Sequence, residues 1–175
     1  MCGVPDPRFS SVDPVIESTP GTPDTFHVVV RNVNNAPRSY RKVTLDFSAS
    51  NVRLMAAQAS GLTLDCAART LSALTDFGGR VDFLVRFGGF DNAPNDLVIE
   101  NGVILKKVPA RSCDLDGLGG CASIGDLARF TPLLLSHSVS NPEADLNLSG
   151  GPIDLGDFAI LTRAIREGGA GSYCP

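Results

Sequence analysis

The sequence lacks the motifs on which most enzyme active sites depend. Its only histidines are His27 and His137, and neither belongs to a motif with a nucleophile or a metal ligand. It contains no G-x-S-x-G nucleophile elbow, no phosphate-binding loop and no zinc-binding histidine pair. A paired-carboxylate active site is the one catalytic arrangement left open, but the clustered acids have another explanation, given below. We therefore expect a protein that is not an enzyme.

Charged residues are few, and basic residues do not outnumber acidic ones. Asp, Glu, Lys and Arg make up 19% of the 175 residues, below a usual share of about 25%. Residues 1–110 hold 11 acids and 11 bases, so the formal net charge of −4 belongs to residues 111–175, with 8 acids and 4 bases. We expect no nucleic-acid partner, because such binding requires a basic face. We also expect that a partner buries part of this weakly charged surface.

Long apolar runs are missing as well. No segment approaches the roughly 18 apolar residues of a membrane span, and no basic-then-apolar signal sequence is present. We therefore expect no membrane span and, if the protein is secreted, a mature chain.

A repeat dominates the C-terminal third of the chain. The first copy reads DLDGLGGCASIGDLARF from Asp114, and the second reads DLNLSGGPIDLGDFAIL from Asp145. The two copies align without a gap, so that Asp114 corresponds to Asp145 and Asp126 corresponds to Asp157. The similarity is therefore positional and not a matter of shared composition.

The spacing of the acids in this repeat is typical of a calcium loop. Ca²⁺ takes six to eight oxygen ligands at about 2.3–2.6 Å, supplied by alternate loop positions, a backbone carbonyl and a distal acid around a glycine turn. The predicted ligands are Asp145, Asn147, Ser149, Gly151, Asp154 and Asp157 in the second loop, and Asp114, Asp116, Gly120 and Asp126 in the first. The same residues would also suit two Asp/Gly turns that merely cap helices.

Each loop is followed by a helical pattern. Asp157 precedes apolar residues at Phe158, Leu161 and Ile165, which have helical spacing. In the first copy we expect Pro132 to interrupt the helix that Asp126 opens, with a fresh start at Thr131. Leu133, Leu134 and Leu135 then predict a core between the two repeat helices or, alternatively, a partner-binding stripe.

Two loop–helix repeats of this kind resemble a dockerin module, the calcium-dependent docking domain of secreted bacterial assemblies. The chain departs from the family in placing the distal acid at loop position 13 instead of 12. Leu118 also stands where the second loop has Ser149, so the first loop lacks a side-chain ligand. The sequence therefore favours the second calcium site over the first.

Residues 25–110 show the alternation of β-strands. One face is formed by Phe26, Val28 and Val30, a second by Val43, Leu45 and Phe47, and a third by Val81, Phe83, Val85 and Phe87. Asn101-Gly102 predicts a two-residue hairpin turn. Seven or eight short strands without a helical period indicate a β-sandwich.

The run HVVVRNVNNAPRSYRKVTLDF, followed by TDFGGRVDFLV, resembles bacterial immunoglobulin-like domains of the invasin type. The predicted fold is thus mainly β: an Ig-like β-sandwich followed by a small α-helical dockerin-like domain. The predicted domains are a proline-rich extended segment at 1–24 with an edge strand near Val15 and Ile16, the β-sandwich at 25–110 and the calcium-binding domain at 111–175.

The five cysteines, Cys2, Cys66, Cys113, Cys121 and Cys174, contain no C-x-x-C pair. Since a calcium-loop module belongs outside the cell, disulfides are expected, and the odd number leaves one thiol free or paired between chains. The short separation of Cys113 and Cys121 suggests a clasp around the first loop. We expect an extracellular or cell-surface location.

Two functions are compatible with these features. The chain could polymerise head to tail into a filament or tube, its dockerin-like module binding the β-sandwich of the next copy, since cohesins, the partners of dockerins, are themselves β-sandwiches. Alternatively, the module anchors an Ig-like adhesive domain to a cohesin scaffold or cell surface. The expected partner is accordingly a second copy or a cohesin-like β-sandwich, and the expected cofactor is Ca²⁺.

Overall fold

A computed structural model describes residues 3–18, 25–118, 123–167 and 172–175. Within these ranges the protein is mainly β, with eleven strands and two α-helices. The strands are β1 (Ser11–Val12), β2 (Ile16–Ser18), β3 (Phe26–Val29), β4 (Lys42–Asp46), β5 (Arg53–Leu54), β6 (Thr63–Asp65), β7 (Thr70–Leu74), β8 (Arg80–Phe83), β9 (Phe87–Gly88), β10 (Asp91–Glu100) and β11 (Val103–Ser112). The helices are α1 (Ile124–Leu135) and α2 (Leu155–Glu167), with a 3₁₀ turn at Pro142–Ala144 between them.

The strands form two main sheets. A six-stranded sheet has the order β2-β11-β10-β4-β7-β6, and a three-stranded sheet has the order β1-β3-β8. The pairings in these sheets are antiparallel except that of β2 with β11, which is parallel. The predicted edge strand is confirmed, because β2 lies at one edge of the larger sheet. Strands β5 and β9 form a separate, small antiparallel pair.

The alternating apolar residues face a common core between the two sheets, as predicted. Val28 and Phe83 of the smaller sheet are fully buried in one cluster with Leu45 and Val98 of the larger sheet. Their alternate neighbours, such as His27 and Asp82, are more exposed, as the period of two requires. We call the two main sheets and the core between them the β-sheet part.

The predicted hairpin between β10 and β11 is also confirmed. Asn101 and Gly102 form the turn, with φ of +50° and +77°. Both central residues of a type I′ turn require positive φ, which explains the Asn-Gly pair. The ten-residue strand β11 then runs from this turn to Ser112, so the loop repeats begin at the opposite end of the sheet.

Residues 113–118 and 123–167 form the loop–helix part, which has its own small core. Phe130 of α1 and Leu161 of α2 are fully buried there, at equivalent positions of the two repeats. Leu115 and Leu146, which also correspond, are buried in the same cluster. Leu133 and Leu134 pack against this core, whereas Leu135 is 76% exposed. The repeat is therefore a repeat of packing as well as of sequence.

The expected interruption at Pro132 is wrong, because α1 continues through this residue to Leu135. The helix begins at Ser123, whose side chain and that of Asp126 form a capping box. Pro132 has no N–H for the carbonyl four residues earlier, which removes one helical hydrogen bond. The cap and the buried Phe130 keep the helix intact across this gap.

The C-terminal tail returns to the β-sheet part. A disulfide joins Cys66 to Cys174, with Cα atoms 5.3 Å apart, and Tyr173 forms a β-bridge with Met55. The expectation of a disulfide is thus confirmed for this pair. Cys113 is buried, and the suggested clasp with Cys121 lies outside the described residues, as does Cys2. Neither described helix has the length and apolarity needed to cross a membrane.

Candidate metal centre

The two loops share one hydrogen-bond framework around the distal acid. In the first loop, both oxygens of Asp126 accept backbone N–H groups, from Asp116 at 2.8 Å and from Ser123. In the second, Asp157 accepts from Asn147 at 3.0 Å and from Asp154 at 2.9 Å. The donors occupy equivalent positions of the two copies. The distal acid therefore closes its loop onto the start of the following helix.

The backbone inside the loops repeats as well. The side chain of Asp116 accepts from the N–H of Leu118 at 2.9 Å, and that of Asn147 accepts from Ser149 at 2.8 Å. The residue between each pair has positive φ, +67° at Gly117 and +53° at Leu148. This left-handed residue turns the chain so that the N–H of the next residue reaches the side-chain oxygen two positions before it.

The second residue of each helix is a glycine, because a side chain at that position would not fit. A Cβ on Gly125 would clash with Oδ2 of Asp116, and a Cβ on Gly156 would lie 2.7 Å from Nδ2 of Asn147. The side chains of Asp116 and Asn147, at the third position of each loop, thus pack directly on the helix backbone. This explains why the sequence repeat includes the Gly-Asp pair, at 125–126 and 156–157.

Three carboxylates converge in the first loop. Oxygens of Asp114, Asp116 and Asp126 lie within 4.8 Å of one another. Asp114 and Asp126 are each 1% exposed, so little water screens their mutual repulsion. The pKa of Asp114 is raised above its ordinary value, first by burial and then by the charges of Asp126 and Asp116. A cation would relieve this repulsion.

Asp114 also keeps one oxygen unsatisfied. Oδ2 accepts hydrogen bonds from the N–H of Gly89 at 3.1 Å and the hydroxyl of Tyr173 at 3.3 Å. Oδ1 is buried and has no hydrogen-bond partner among the described residues. A buried oxygen without a partner is costly, and a metal ion would provide one. The three residues therefore fit a hard cation that prefers oxygen ligands.

The second loop uses its side chains differently. Asp145 accepts from Ser149 through Oδ1 and from Gly150 through Oδ2, both at 2.9 Å. Asp154 accepts from the N–H of Gly156 at 2.7 Å, as the helix cap Ser123 does from Gly125 in the first copy. Asn147 stands where the first loop has Asp116, and Asp154 stands where the first loop has Ser123, so each loop has three carboxylates but at different positions.

The three-carboxylate cluster therefore lies in the first loop, whereas the preference that the sequence gives to the second site rests on Asn147, Ser149 and backbone oxygens and stays a prediction. Within residues 3–18, 25–118, 123–167 and 172–175, the first-loop triad is the one acidic group close enough to share a cation. Gly151 donates its N–H to the Ser149 hydroxyl at 3.2 Å. Gly120 lies outside the described residues.

Sequence reasoning missed the residues that hold Asp114 from the other side. Gly89 follows β9, and Tyr173 is 59 residues away from Asp114 along the chain. Ser112 contributes too, since its hydroxyl accepts the N–H of Asp114 at 3.2 Å and donates to the carbonyl of Gly89 at 2.8 Å. No spacing signals these long-range contacts. The neighbouring Cys174 is the one feature that draws attention to the tail.

The chain matches no protein-family model, and neither the curated proteins nor the solved structures give a match.

Proposed function

We propose that this is a non-enzymatic, extracellular structural protein, stabilised by calcium, which assembles head to tail through its loop–helix part. In this proposal the β-sheet part is an Ig-like β-sandwich and the loop–helix part is a dockerin-like module. The observation that carries the calcium assignment is the buried Oδ1 of Asp114, which has no hydrogen-bond partner among the described residues and lies beside Asp116 and Asp126. The Cys66–Cys174 disulfide supports the location, because such bonds persist in oxidising compartments.

The chemistry of the triad favours calcium over softer metals. All three ligands are carboxylates, and neither histidine belongs to the group. Carboxylate oxygens select Ca²⁺, Mg²⁺ or Mn²⁺, whereas zinc and copper sites favour His or Cys. Ca²⁺ also tolerates irregular geometry with backbone ligands, while Mg²⁺ requires a near-ideal octahedron. A loop with an extra residue before its distal acid suits the more tolerant ion.

We expect calcium to raise the melting temperature of the intact protein. Binding restricted to the folded state adds RT ln(1 + [L]/Kd), about 2.7 kcal/mol at a hundredfold excess over Kd. Differential scanning calorimetry with calcium, with magnesium and with a chelator measures this shift.

Asp126→Asn should remove the part of the calcium shift that the first loop contributes, because it removes one of the three converging charges. Asp65→Asn is the matched control, since Asp65 is an exposed acid of β6 outside the loop–helix part. A melting temperature that chelation leaves unchanged would overturn the calcium assignment.

Exposed apolar side chains at both ends of the molecule support head-to-tail assembly. Tyr40, Leu74 and Phe77 are 67%, 64% and 78% exposed. Strand register places them at the end that carries the Asn101–Gly102 turn, since Leu74 pairs with Lys42 and Val43 pairs with Glu100. We call these three residues the turn-end patch.

A second exposed group lies on the loop–helix part, which follows the other end of β11. Ile124 is 79% exposed and Leu155 is 74% exposed, and they occupy equivalent positions of the repeat at the start of each helix. We call this pair the helix-start patch. A ten-residue strand such as β11 spans about 33 Å, so the two patches cannot meet within one molecule. Contact between such unlike surfaces adds one copy after another and gives an open filament when the rotation between copies does not close a ring.

Replacing an apolar side chain of either patch with an acid should stop assembly. Phe77→Asp disrupts the turn-end patch and Leu155→Asp disrupts the helix-start patch, while each variant keeps the other surface. Alone, each should sediment as a monomer in calcium, where the wild-type chain forms long particles. Mixed together, they should form a 1:1 dimer and stop there, because each chain supplies one intact surface.

The mixing experiment separates this arrangement from a symmetric dimer, which would require the same patch on both chains. Unchanged melting temperatures in both variants control for misfolding. A wild-type chain that stays monomeric at high concentration in calcium would contradict self-assembly. The protein would then be an anchoring module that docks an Ig-like adhesive domain onto a separate cohesin-like β-sandwich.

A further inference from the structure

The tail Ser172–Cys174 is fastened to the β-sheet part by three independent links. The carbonyl of Ser172 accepts the N–H of Ala56 at 2.8 Å, and the N–H of Cys174 donates to the carbonyl of Leu54 at 2.9 Å. The Cys66–Cys174 disulfide adds a covalent bond at the same place. The residue between these anchors, Tyr173, is therefore held in a fixed position.

Tyr173 is directed at the candidate calcium loop. The guanidinium of Arg53 lies over its ring, 4.7 Å from the centroid, and its hydroxyl donates to Oδ2 of Asp114. There is no room beside this contact, since a Cβ on Gly88 would clash with the Tyr173 hydroxyl and with Oδ2 of Asp114. The glycine at position 88 thus permits the carboxylate and the phenol to meet over β9.

Two donors on one oxygen fix the orientation of the Asp114 carboxylate. Gly89 and Tyr173 both bond Oδ2, and Oδ1 is the oxygen without a partner among the described residues. A ligand held in this way loses little conformational freedom when the ion binds, so second-layer hydrogen bonds of this type strengthen metal sites. Asp145, the counterpart of Asp114, is held by Ser149 and Gly150 of its own loop instead.

We infer that Tyr173 is a positioning residue for calcium, and that the first loop reaches full affinity only when the disulfide-bound tail holds Tyr173 against Asp114. The inference rests on the proposed calcium binding. It makes the first site a joint product of the loop–helix part, strand β9 and the tail. The second site, whose Asp145 is held within its own loop, should be independent of the tail.

Terbium luminescence can locate the site directly, because Tb³⁺ binds at calcium sites and is excited by nearby tyrosine. The chain has two tyrosines and no tryptophan. Tyr40 lies in the turn-end patch, about 30 Å from the loops by strand length, whereas Tyr173 bonds a ligand of the first site. Tyrosine-excited emission should therefore survive Tyr40→Phe and disappear in Tyr173→Phe.

Calorimetric titration with calcium then tests the positioning role. In Tyr173→Phe, and in the paired variant Cys66→Ser with Cys174→Ser, the affinity of the first site should fall on the order of tenfold. The affinity of the second site should not change. In an Asp114→Asn background, Tyr173→Phe should have no further effect on calcium binding, because the residue it positions is gone.

The outcomes separate this inference from the proposed function. If the wild-type protein binds neither Ca²⁺ nor Tb³⁺, the calcium function itself is wrong. If it binds calcium but Tyr173→Phe binds with wild-type affinity and the chelated proteins have equal melting temperatures, the positioning role is wrong and the calcium function stands. Should the cysteine variant fail to fold, Tyr173→Phe alone still decides.

Discussion

At the scale of single residues, Asp96 is the side chain most at odds with its surroundings. It is fully buried on the inward face of β10, and neither of its oxygens has a hydrogen-bond partner among the described residues. Burial raises the pKa of Asp96 to about 7, a rise that the nearby Ser50 side chain opposes and the charge of Asp91 increases. Asp46 and Arg69 also act on it, with opposite signs. Between the unfolded and the folded pKa, Asp96 therefore keeps a proton in the folded protein that it would release in the unfolded chain.

Loss of this proton makes the protein less stable at neutral and alkaline pH, because the buried Asp96 carboxylate must then carry a charge. Because the folded-state pKa lies above the unfolded value, the stability is complete below the unfolded pKa and is lost as pH rises through the folded pKa. One pKa unit corresponds to about 1.4 kcal/mol, so the wild-type protein should lose about 3 kcal/mol between pH 5 and pH 8. Asp96→Asn should remove most of this slope in urea titrations. A slope of wild-type size in the variant would contradict the assignment to Asp96.

At the scale of elements, local patterns predicted what local physics controls. The alternation of Phe26, Val28 and Val30 placed their strand correctly, because a strand buries every second residue. The Asn101-Gly102 pair predicted its turn, since few residues accept positive φ twice in succession. The pattern failed at Pro132, where tertiary burial of Phe130 outweighs one lost helical hydrogen bond. Sequence propensity alone does not include that packing.

The hairpin turn offers a test of its own. Gly102 has φ of +77° with nothing within 4 Å of a Cβ placed on it, so Gly102→Ala adds backbone strain without a clash. We expect a loss of about 1 kcal/mol in the free energy of unfolding. Gly78→Ala is the control, because Gly78 lies in an exposed turn without positive φ. Equal losses in the two variants would show that the φ angle is not the cause.

At the scale of the whole molecule, the sequence predicted two loops with oxygen ligands but not how the rest of the chain holds them. The missing side-chain ligand at Leu118 pointed to the second loop, whereas the three-dimensional arrangement gathers Asp114, Asp116 and Asp126 in the first. Long-range contacts hold this cluster: Gly89 and Tyr173 bond one oxygen of Asp114, and the other has no hydrogen-bond partner among the described residues. Spacing cannot show which oxygen another part of the chain will occupy. The pairing of Cys66 with Cys174 was open for the same reason.

That disulfide also decides how the molecule responds to tension. A pull on the chain segments outside the ring, before residue 66 and after residue 174, would pass directly through this bond and bypass a sequence separation of 108 residues. Reduction of the bond would release that stretch, roughly 390 Å at full extension. Both calcium loops lie inside the cross-linked ring. Load along the chain would therefore bypass them, leaving their geometry intact while the outer segment absorbs the strain.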